Sequence, residues 1–209
     1  MVSPKKGEQV QAVNVLTGKP AEVSKQTLDS LPSNSEISFG KPAVVATADK
    51  RWVKSGETKT VSAQFFVPSD GDTAKVSNPK NPSDSLICRF TGIDAPETGH
   101  GNNKPGQPYG EDSLKNLQRM VANKEVQVTV RGGVDKYGRS VCDISVEGKD
   151  INLEQIKGGF AWLYDQYAPA EMKDQYRAAQ SNAMKNQLGL WKDQDPVKPS
   201  TWRRERWSN

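Results

Sequence analysis

The chain has 209 residues, a net charge of +4 and a hydrophobic fraction of 34%. This length allows one ordinary domain with an appendage, or two small domains. The mildly basic charge is compatible with a polyanionic partner, although an ordinary soluble protein would carry it equally well. No stretch is long and apolar enough to span a membrane, and the first residues lack the apolar core of a signal peptide. A secreted or periplasmic location is therefore expected only for a mature form, and a cytoplasmic or particle-associated one otherwise.

The first 58 residues differ in sequence pattern from the rest of the chain. Valines between residues 10 and 15 indicate a strand that ends at the turn sequence 17–20. Ser24 is suited to cap a short helix, and two further short strands are predicted at 37–39 and 43–46. The apolar content is too small to predict an independent core. We therefore interpret residues 1–58 as a small β-rich accessory or attachment segment.

Alternating apolar residues predict five strands in the following part of the chain. A helix over 110–123 separates the third strand from the fourth, a short helix follows its cap at Asp150, and a third helix covers 171–187. Five strands with a helix in this place predict an α+β, mainly β, fold: the five-stranded Greek-key barrel called the OB-fold. The predicted strands are 60–67, 73–76, 85–91, 126–130 and 141–146.

Charged residues collect at the end of the third predicted strand. Arg89 lies in an apolar run, and Asp94 and Glu97 follow it in a loop. Carboxylates hold hard cations, and the planar guanidinium binds phosphate oxygens in pairs. A structural ion pair is the commoner reason for such a grouping, so this stretch alone does not decide.

Two other loops carry matching residue types. The acidic turn after the first strand contains Asp70 and Asp72, and the sequence Asp-Lys-Tyr-Gly-Arg at 135–139 places Arg139 just before the fifth strand. Loops at strand ends are rigidly mounted and accessible to ligands. The sequence therefore predicts that these acids and arginines form one site.

Six motifs in order resemble the thermonuclease, or staphylococcal-nuclease-like, family of calcium-dependent phosphodiesterases. The first three are Asp-Gly-Asp-Thr at 70–73, the segment from Arg89 to Glu97, and the 135–139 motif. The others are Gly-Gly-Phe-Ala-Trp at 158–162, Gly-Leu-Trp at 189–191, and Pro-Ser-Thr-Trp-Arg at 199–203. The resemblance covers residues 59–203, which are interpreted as a nuclease domain. Residues 204–209 are interpreted as a basic C-terminal tail.

The resemblance implies a role for each matching residue. It implies one Ca²⁺ held by Asp72, Asp94 and the backbone carbonyl of Ala95, with Asp70 tuning the site from behind. It implies that Glu97 orients or deprotonates the attacking water, and that two arginines bind the phosphate. The arginines are Arg89 and Arg139, and the residues matching the nucleotide pocket are Lys136, Tyr137 and Tyr164.

Several residues keep a plainer interpretation beside this one. The aromatic rings of Tyr137 and Trp162 are typical of packing residues, and Asp70 is suited to stabilise its turn. His100 is expected to be solvated and receives no catalytic role. Cys88 and Cys142 fall on strands that are neighbours in the family's barrel, where a bridge is conceivable, but two buried free thiols are favoured.

Two functions follow from these observations. The first is a calcium-dependent nuclease that cuts DNA and RNA with low sequence specificity, at the 5′ O–P bond and with 3′-phosphate products, as the resemblance implies. The second is a nuclease-like component of a larger assembly, such as a virus particle or a conjugation or secretion apparatus, which a protein partner would hold through residues 1–58. Some relatives of this fold lose the acids and arginines and only bind, whereas this chain keeps the full set.

Overall fold

The chain forms two compact units, Met1–Ala46 and Thr47–Asn209. The structure, a computed structural model, describes residues 51–101 and 103–207, and the backbone of two short antiparallel strands in the first unit, β1 (Ala12–Val13) and β2 (Pro20–Ala21). The helix predicted after Ser24 and the strands predicted at 37–39 and 43–46 lie outside the described residues.

A mixed sheet of seven strands forms the centre of the second unit, in the order β3-β8-β9-β6-β5-β4 with β10 added beside β9. The ladders are antiparallel except between β6 and β9, which run parallel. Among the described strands no ladder joins β3 to β4, so closure of the curled sheet into a Greek-key barrel remains a prediction. The strands are β3 (Thr58–Ser62), β4 (Phe66–Asp70), β5 (Thr73–Asn78), β6 (Asn81–Phe90), β8 (Glu125–Val134), β9 (Ser140–Val146) and β10 (Lys149–Asp150).

Seven strands replace the predicted five for two local reasons. The run predicted as one strand over 60–67 is divided by a 3-10 helix, Ala63–Phe65, into β3 and β4. After β9 the chain turns back, and two residues that were not predicted as a strand pair with β9 as β10. A separate two-stranded sheet pairs β7 (Ile93–Asp94) with β11 (Trp162–Leu163), and this pairing fixes the backbone on which Asp94 lies.

In the described part of the second unit four α-helices accompany the sheet, whereas the sequence predicted three in this part of the chain. They are α1 (Gly110–Val121), α2 (Ile151–Lys157), α3 (Ala170–Lys185) and α4 (Pro199–Arg206). The additional helix is α4, which begins with a proline at a position that helices tolerate and ends in arginines that suit a helix C-terminus. None of the described helices is long and apolar enough to cross a membrane.

The hydrophobic core lies between the inner face of the sheet and helices α1 to α3. In β9 the alternation is complete, because Cys142, Ile144 and Val146 are buried while the residues between them are half-buried. Leu117 of α1 and Tyr176 of α3 are wholly buried against this face. Both helices therefore turn an apolar face toward the sheet.

Cys88 and Cys142 form a disulfide, so the expectation of free thiols is wrong. In the parallel ladder, Cys88 lies opposite Ser140, which puts Cys142 two residues further on the same face of the neighbouring strand. The two Cα atoms are 5.6 Å apart, within the range that a disulfide spans. The bridge ties β6, which carries Arg89, to β9, which follows Arg139.

Candidate active site

Four carboxylic acids form a buried cluster where β4 ends and where the chain leaves β7. Asp70 and Asp72 come from the β4–β5 turn, Asp94 from β7, and Glu97 from the loop after it; each is at most 7% exposed. Acidic residues are rarely buried unless they are paired or bind a cation. The structure therefore brings the two acidic motifs of the sequence together.

Arg89 joins the two halves of this cluster. One terminal nitrogen, Nη2, lies 2.7 Å from Oδ1 of Asp94, and the other, Nη1, lies 3.1 Å from Oδ2 of Asp72. Nη1 also donates to the carbonyl oxygen of Ile93 at 2.7 Å. Because the guanidinium contacts two carboxylates and one carbonyl oxygen, its plane has a fixed orientation at the end of β6.

The backbone of Ala95 is fixed directly on Asp72. The N–H of Ala95 donates to Oδ2 of Asp72 at 2.7 Å, and the hydroxyl of Thr73 donates to Oδ1 at 2.9 Å. Asp72 and Asp94 are thereby held in one place by a shared arginine and by adjacent backbone. This arrangement suits a pair of oxygen ligands for a hard cation.

Asp70 lies behind the other acids and anchors two loops. Its Oδ1 accepts from the backbone N–H groups of Gly71 and Thr98, at 3.0 and 3.3 Å. Its Oδ2 lies 3.8 Å from Nε2 of His100. Ligand atoms of Asp70, Glu97 and His100 lie within 4.8 Å of one another, so His100, which was expected to be solvated, stands at the edge of the acidic cluster with its side chain 44% exposed.

Crowding and burial disfavour the charged form of these acids. Burial raises the pKa of Asp70 to about 8, and the neighbouring charges of Asp72 and Glu97 add to this. Burial raises the pKa of Glu97 to about 7, with Asp72 as the next cause, while Arg203 acts in the opposite direction. The pKa of Asp94 is also raised by burial, although Arg89 opposes the shift. A simple structural ion pair would instead lower the pKa of its acid.

Gln155 on α2 supports the acidic turn, a contact that no sequence pattern predicted. Its wholly buried amide donates to the carbonyl oxygen of Gly71 at 2.7 Å and accepts from Asn116 at 2.6 Å. The turn also packs tightly, since a Cβ atom on Gly71 would lie 1.9 Å from Oγ of Ser113. The position of Asp70 and Asp72 therefore depends on α1 and α2.

Arg139 lies on a neighbouring loop and has its own acidic partner. Its Nε and Nη2 are each 2.8 Å from Oδ2 of Asp135, and its N–H donates to Oδ1 of Asp135. The ladder between β6 and β9 sets Val141 opposite Arg89, so Arg139 precedes that position by two residues. In the described part of the chain, the ion pairs of Arg139 are with Asp135 and not with the four clustered acids.

The three residues predicted to line a nucleotide pocket lie in two places. Lys136 and Tyr137 share the exposed turn with Arg139, and both cations lie over the Tyr137 ring, with Nζ at 4.9 Å and Cζ at 5.3 Å from its centroid. Tyr164 follows β11, where its N–H donates to the carbonyl oxygen of Gly92, and its ring packs against Tyr167. The predicted residues thus lie on two separate loops of the described structure.

Arg203 of α4 also contacts the acidic cluster, and the sequence interpretation assigned it no role. Its guanidinium pairs with both Asp94 and Glu97. The sequence placed Arg203 in the last family motif without a role, because a basic segment near a chain end is as typical of a packed tail as of a nucleic-acid contact. The pairing joins residues more than a hundred positions apart.

The chemistry of the donor set fits a divalent cation. Four carboxyls converge, and among the described residues two arginines, Arg89 and Arg203, pair with members of the cluster, so the negative charge exceeds the positive charge. Burial is the main cause of the raised pKa values of Asp70 and Glu97, and the neighbouring acids add to both shifts. Oxygen donors of this kind match Ca²⁺ or Mg²⁺ better than softer metals.

Comparisons with known proteins find a family match and several named relatives. The model of the family described as "Staphylococcal nuclease homologue" matches residues 87–193. A protein of Haemophilus influenzae named as an uncharacterized endonuclease is 38% identical over 137 residues, 66% of this chain and 70% of that protein. One of Escherichia coli O157:H7 with the same name is 33% identical over 135 residues, 64% and 79% of the two chains. The staphylococcal-like nuclease CAN1 of Arabidopsis thaliana is 27% identical over 197 residues, 94% of this chain and 58% of that protein.

Proposed function

This chain belongs to the family of staphylococcal nuclease homologues, and from that premise we propose that it is a calcium-dependent nuclease. The proposed reaction is hydrolysis of the phosphodiester bonds of DNA and RNA with low sequence specificity, at the 5′ O–P bond and with 3′-phosphate products. The relatives named as endonucleases support nuclease activity in general. The observation that carries the proposal is the buried cluster of four acids, two of which form ion pairs with Arg89.

Asp72 and Asp94 are the proposed carboxylate ligands of the metal, together with the carbonyl oxygen of Ala95. Both carboxylates contact the same guanidinium, and Ala95 is hydrogen-bonded to Asp72, so the three groups are adjacent. Ca²⁺ accepts six to eight oxygens, which leaves positions for water and a phosphate. When bound, the ion would withdraw electron density from the phosphate and offset its charge.

Asp70 is proposed to act through the turn rather than by binding the ion. It holds the loop containing Thr98 against the turn that carries Asp72, with both hydrogen bonds made by Oδ1. A carboxylate behind the ligands also strengthens the attraction for a cation. Loss of Asp70 would therefore make the position of Asp72 less fixed and weaken the electrostatic attraction for the cation.

Arg89 and Arg139 are proposed to bind the oxygens of the scissile phosphate. Negative charge grows on these oxygens in the transition state, and fixed donors that meet it there lower the barrier. Arg89 is already fixed by Asp72, Asp94 and Ile93. Arg139 is held by Asp135 on the next loop, which gives its fork a defined orientation.

Glu97 is proposed to orient the attacking water and accept its proton. Its side chain is buried and paired with Arg203, and its backbone N–H donates to the side-chain amide oxygen of Gln107 at 3.3 Å. A carboxylate held in this way presents its free oxygen in a defined direction. Lys136, Tyr137 and Tyr164 would then contact the nucleotide on either side of the scissile bond.

Digestion of single-stranded DNA and of RNA by the purified full chain tests this proposal. We expect cleavage with Ca²⁺, none with a chelator, and products whose 3′ ends carry phosphate. Glu97→Gln should lower kcat by about 10²–10⁴-fold, the usual worth of a general base. Asp174→Asn, at a solvated side chain of α3, is the matched control and should leave the rate unchanged. Absence of cleavage with every divalent ion would overturn the proposal.

A further inference from the structure

Arg203 lies on the oxygens that the proposed function assigns to the metal. Its Nη1 is 3.1 Å from Oδ1 of Asp94 and its Nη2 is 3.2 Å from Oδ2, so the guanidinium grips both oxygens of that carboxylate. Nη1 also pairs with Oε1 of Glu97. Arg203 lies beyond the segment 87–193 that the family model matches.

The helix that carries Arg203 is docked beside the site by several contacts. The indole N–H groups of Trp202 and Trp207 both donate to the carbonyl oxygen of Pro105, at 3.0 and 3.2 Å. The amide of Gln107 donates to the carbonyl oxygen of Val197 at 2.6 Å, just before the helix. The same Gln107 accepts from the N–H of Glu97. These contacts hold the backbone of α4, and therefore Arg203, beside the acidic cluster.

We infer that Arg203 is an internal competitor of the metal: it occupies the oxygens of Asp94 in the metal-free protein and gives them up when a divalent ion binds. This inference rests on the proposed function, since it takes Asp94 as a metal ligand. Oδ1 of Asp94 already accepts from Arg89 at 2.7 Å, and Arg203 takes up both oxygens in addition. A carboxylate has about four acceptor positions, so the ion and both guanidiniums compete for few sites.

Arg203 cannot make room by losing its proton. An arginine stays charged at every pH that a folded protein tolerates, and the carboxylates of Asp94 and Glu97 raise the pKa of Arg203 although its burial acts to lower it. We therefore expect the guanidinium to move away from Asp94 when the ion binds there. Its pairing with Glu97 can persist through that movement.

The charge of the cluster predicts the direction of the effect. With its four carboxyls ionised, the pairing of Arg89 and Arg203 leaves a charge of −2, which one divalent ion balances. Removing Arg203 makes the cluster more negative and frees the oxygens of Asp94. Both changes strengthen the attraction for a cation. A residue with only a structural role would weaken metal binding when lost, so the two roles predict opposite shifts.

Calcium titration of the full chain by calorimetry, without nucleic acid and at pH 9, tests the inference. We expect Arg203→Ala to bind Ca²⁺ about tenfold more tightly than the unsubstituted protein, which corresponds to about 1.4 kcal/mol. Arg204→Ala is the matched control, because Arg204 lies on the same helix and pairs with Glu205 at the surface. The control should bind Ca²⁺ with unchanged affinity.

A folded Arg203→Ala protein with equal or weaker calcium affinity would overturn the inference. If that variant does not fold, Arg203→Lys is the second test, because an ammonium group cannot bind both oxygens of Asp94 as the planar guanidinium does. The calcium affinity of Arg203→Lys should rise by a smaller factor than that of Arg203→Ala. An unchanged or weaker calcium affinity would overturn the inference. Failure of the proposed function is distinguishable, because the unsubstituted protein would then neither bind Ca²⁺ nor cut nucleic acid.

Discussion

Cys88 and Cys142 join two parallel neighbouring strands by a disulfide, with their Cα atoms 5.6 Å apart and 54 positions apart in the sequence. Both residues are wholly buried. The strand that carries Arg89 is therefore linked covalently to the strand that follows Arg139. The bridge holds together the two strand ends from which the proposed phosphate-binding arginines project.

Replacing both cysteines by alanine should lower the free energy of unfolding by about 2–5 kcal/mol, because the unfolded chain regains the freedom of a long loop. Urea denaturation followed by circular dichroism measures this change. A reductant added to the folded protein should have little effect, since the sulfur atoms are shielded from solvent. A double variant within 0.5 kcal/mol of the original, the scatter of ordinary surface substitutions, would show that the bridge adds no stability.

Arg89 should be needed both for the reaction and for the balance of charge in the cluster. Arg89→Ala leaves Asp72 and Asp94 without a shared partner, so we expect it to lose about 3–5 kcal/mol of stability in the absence of metal. Arg89→Lys keeps the charge but loses the fork, and its kcat/KM should fall about 10²–10³-fold, the usual cost of one oriented donor. Thermal melting and DNA cleavage, measured side by side, separate the two effects.

Full activity of Arg89→Lys would contradict the proposed phosphate contact. Arg177→Lys serves as a control, because Arg177 lies on α3 and pairs with Asp165 and Asp174 at the surface. It should behave as the unsubstituted protein does in both measurements.

Local sequence patterns predicted the elements that carry the site. Alternation and helical periodicity located the strands around Arg89 and the helix α1, because one face of each is buried. The acidic turn at 70–72 and the loop after β7 are next to each other because β5 pairs with β6, which sets Thr73 opposite Arg89. The convergence of Asp72 with Asp94 follows from this single strand pairing.

Contacts between distant parts of the chain were beyond the reach of those patterns. Gln155 and Gly71 are 84 positions apart, and Arg203 and Asp94 are 109 apart. Nothing in the composition of α2 or of the basic segment at 203–206 distinguishes a buried polar contact from a solvated face. The disulfide was missed for a related reason, since a pair of cysteines has no pattern that separates a bridge from two thiols.

Gln155 should be a positioning residue for the acidic turn. Gln155→Met has a similar volume but leaves the carbonyl oxygen of Gly71 and the amide of Asn116 without this partner. We expect a loss of about 1–3 kcal/mol in stability, the cost of unpaired buried polar groups. Because the turn carries Asp72, calcium affinity should fall as well, by about tenfold as an order of magnitude for an outer partner of a metal ligand.

Gln118→Met is the matched control for this substitution. Gln118 lies on the exposed face of α1, so the same change in chemistry touches no buried polar group. Calorimetric titration with Ca²⁺ and urea denaturation are the two measurements. Equal calcium affinity of Gln155→Met and the unsubstituted protein would mean that the turn keeps its shape without this amide.

The stability of the metal-free protein should decrease as the pH rises from about 5 to about 9. In the unfolded chain Asp70 and Glu97 titrate near their ordinary values of 3.8 and 4.5, whereas burial raises their pKa values to about 8 and about 7 in the folded protein. Between these limits the folded state holds more protons than the unfolded state. The free energy of unfolding changes with pH in proportion to the number of protons bound by the unfolded state minus the number bound by the folded state. This difference is negative here, so the free energy of unfolding falls as the pH rises.

Thermal melting with a chelator at pH 5.5, 7 and 8.5 measures this trend. Glu97→Gln, which removes one of the titrating groups, should make the dependence shallower between pH 5 and 7. Added Ca²⁺ should raise the melting temperature most at pH 8.5, because the carboxylates that attract the ion are then ionised and a ligand bound only by the folded state stabilises it. A melting temperature that rises with pH in the chelator would contradict the raised pKa values of these buried acids.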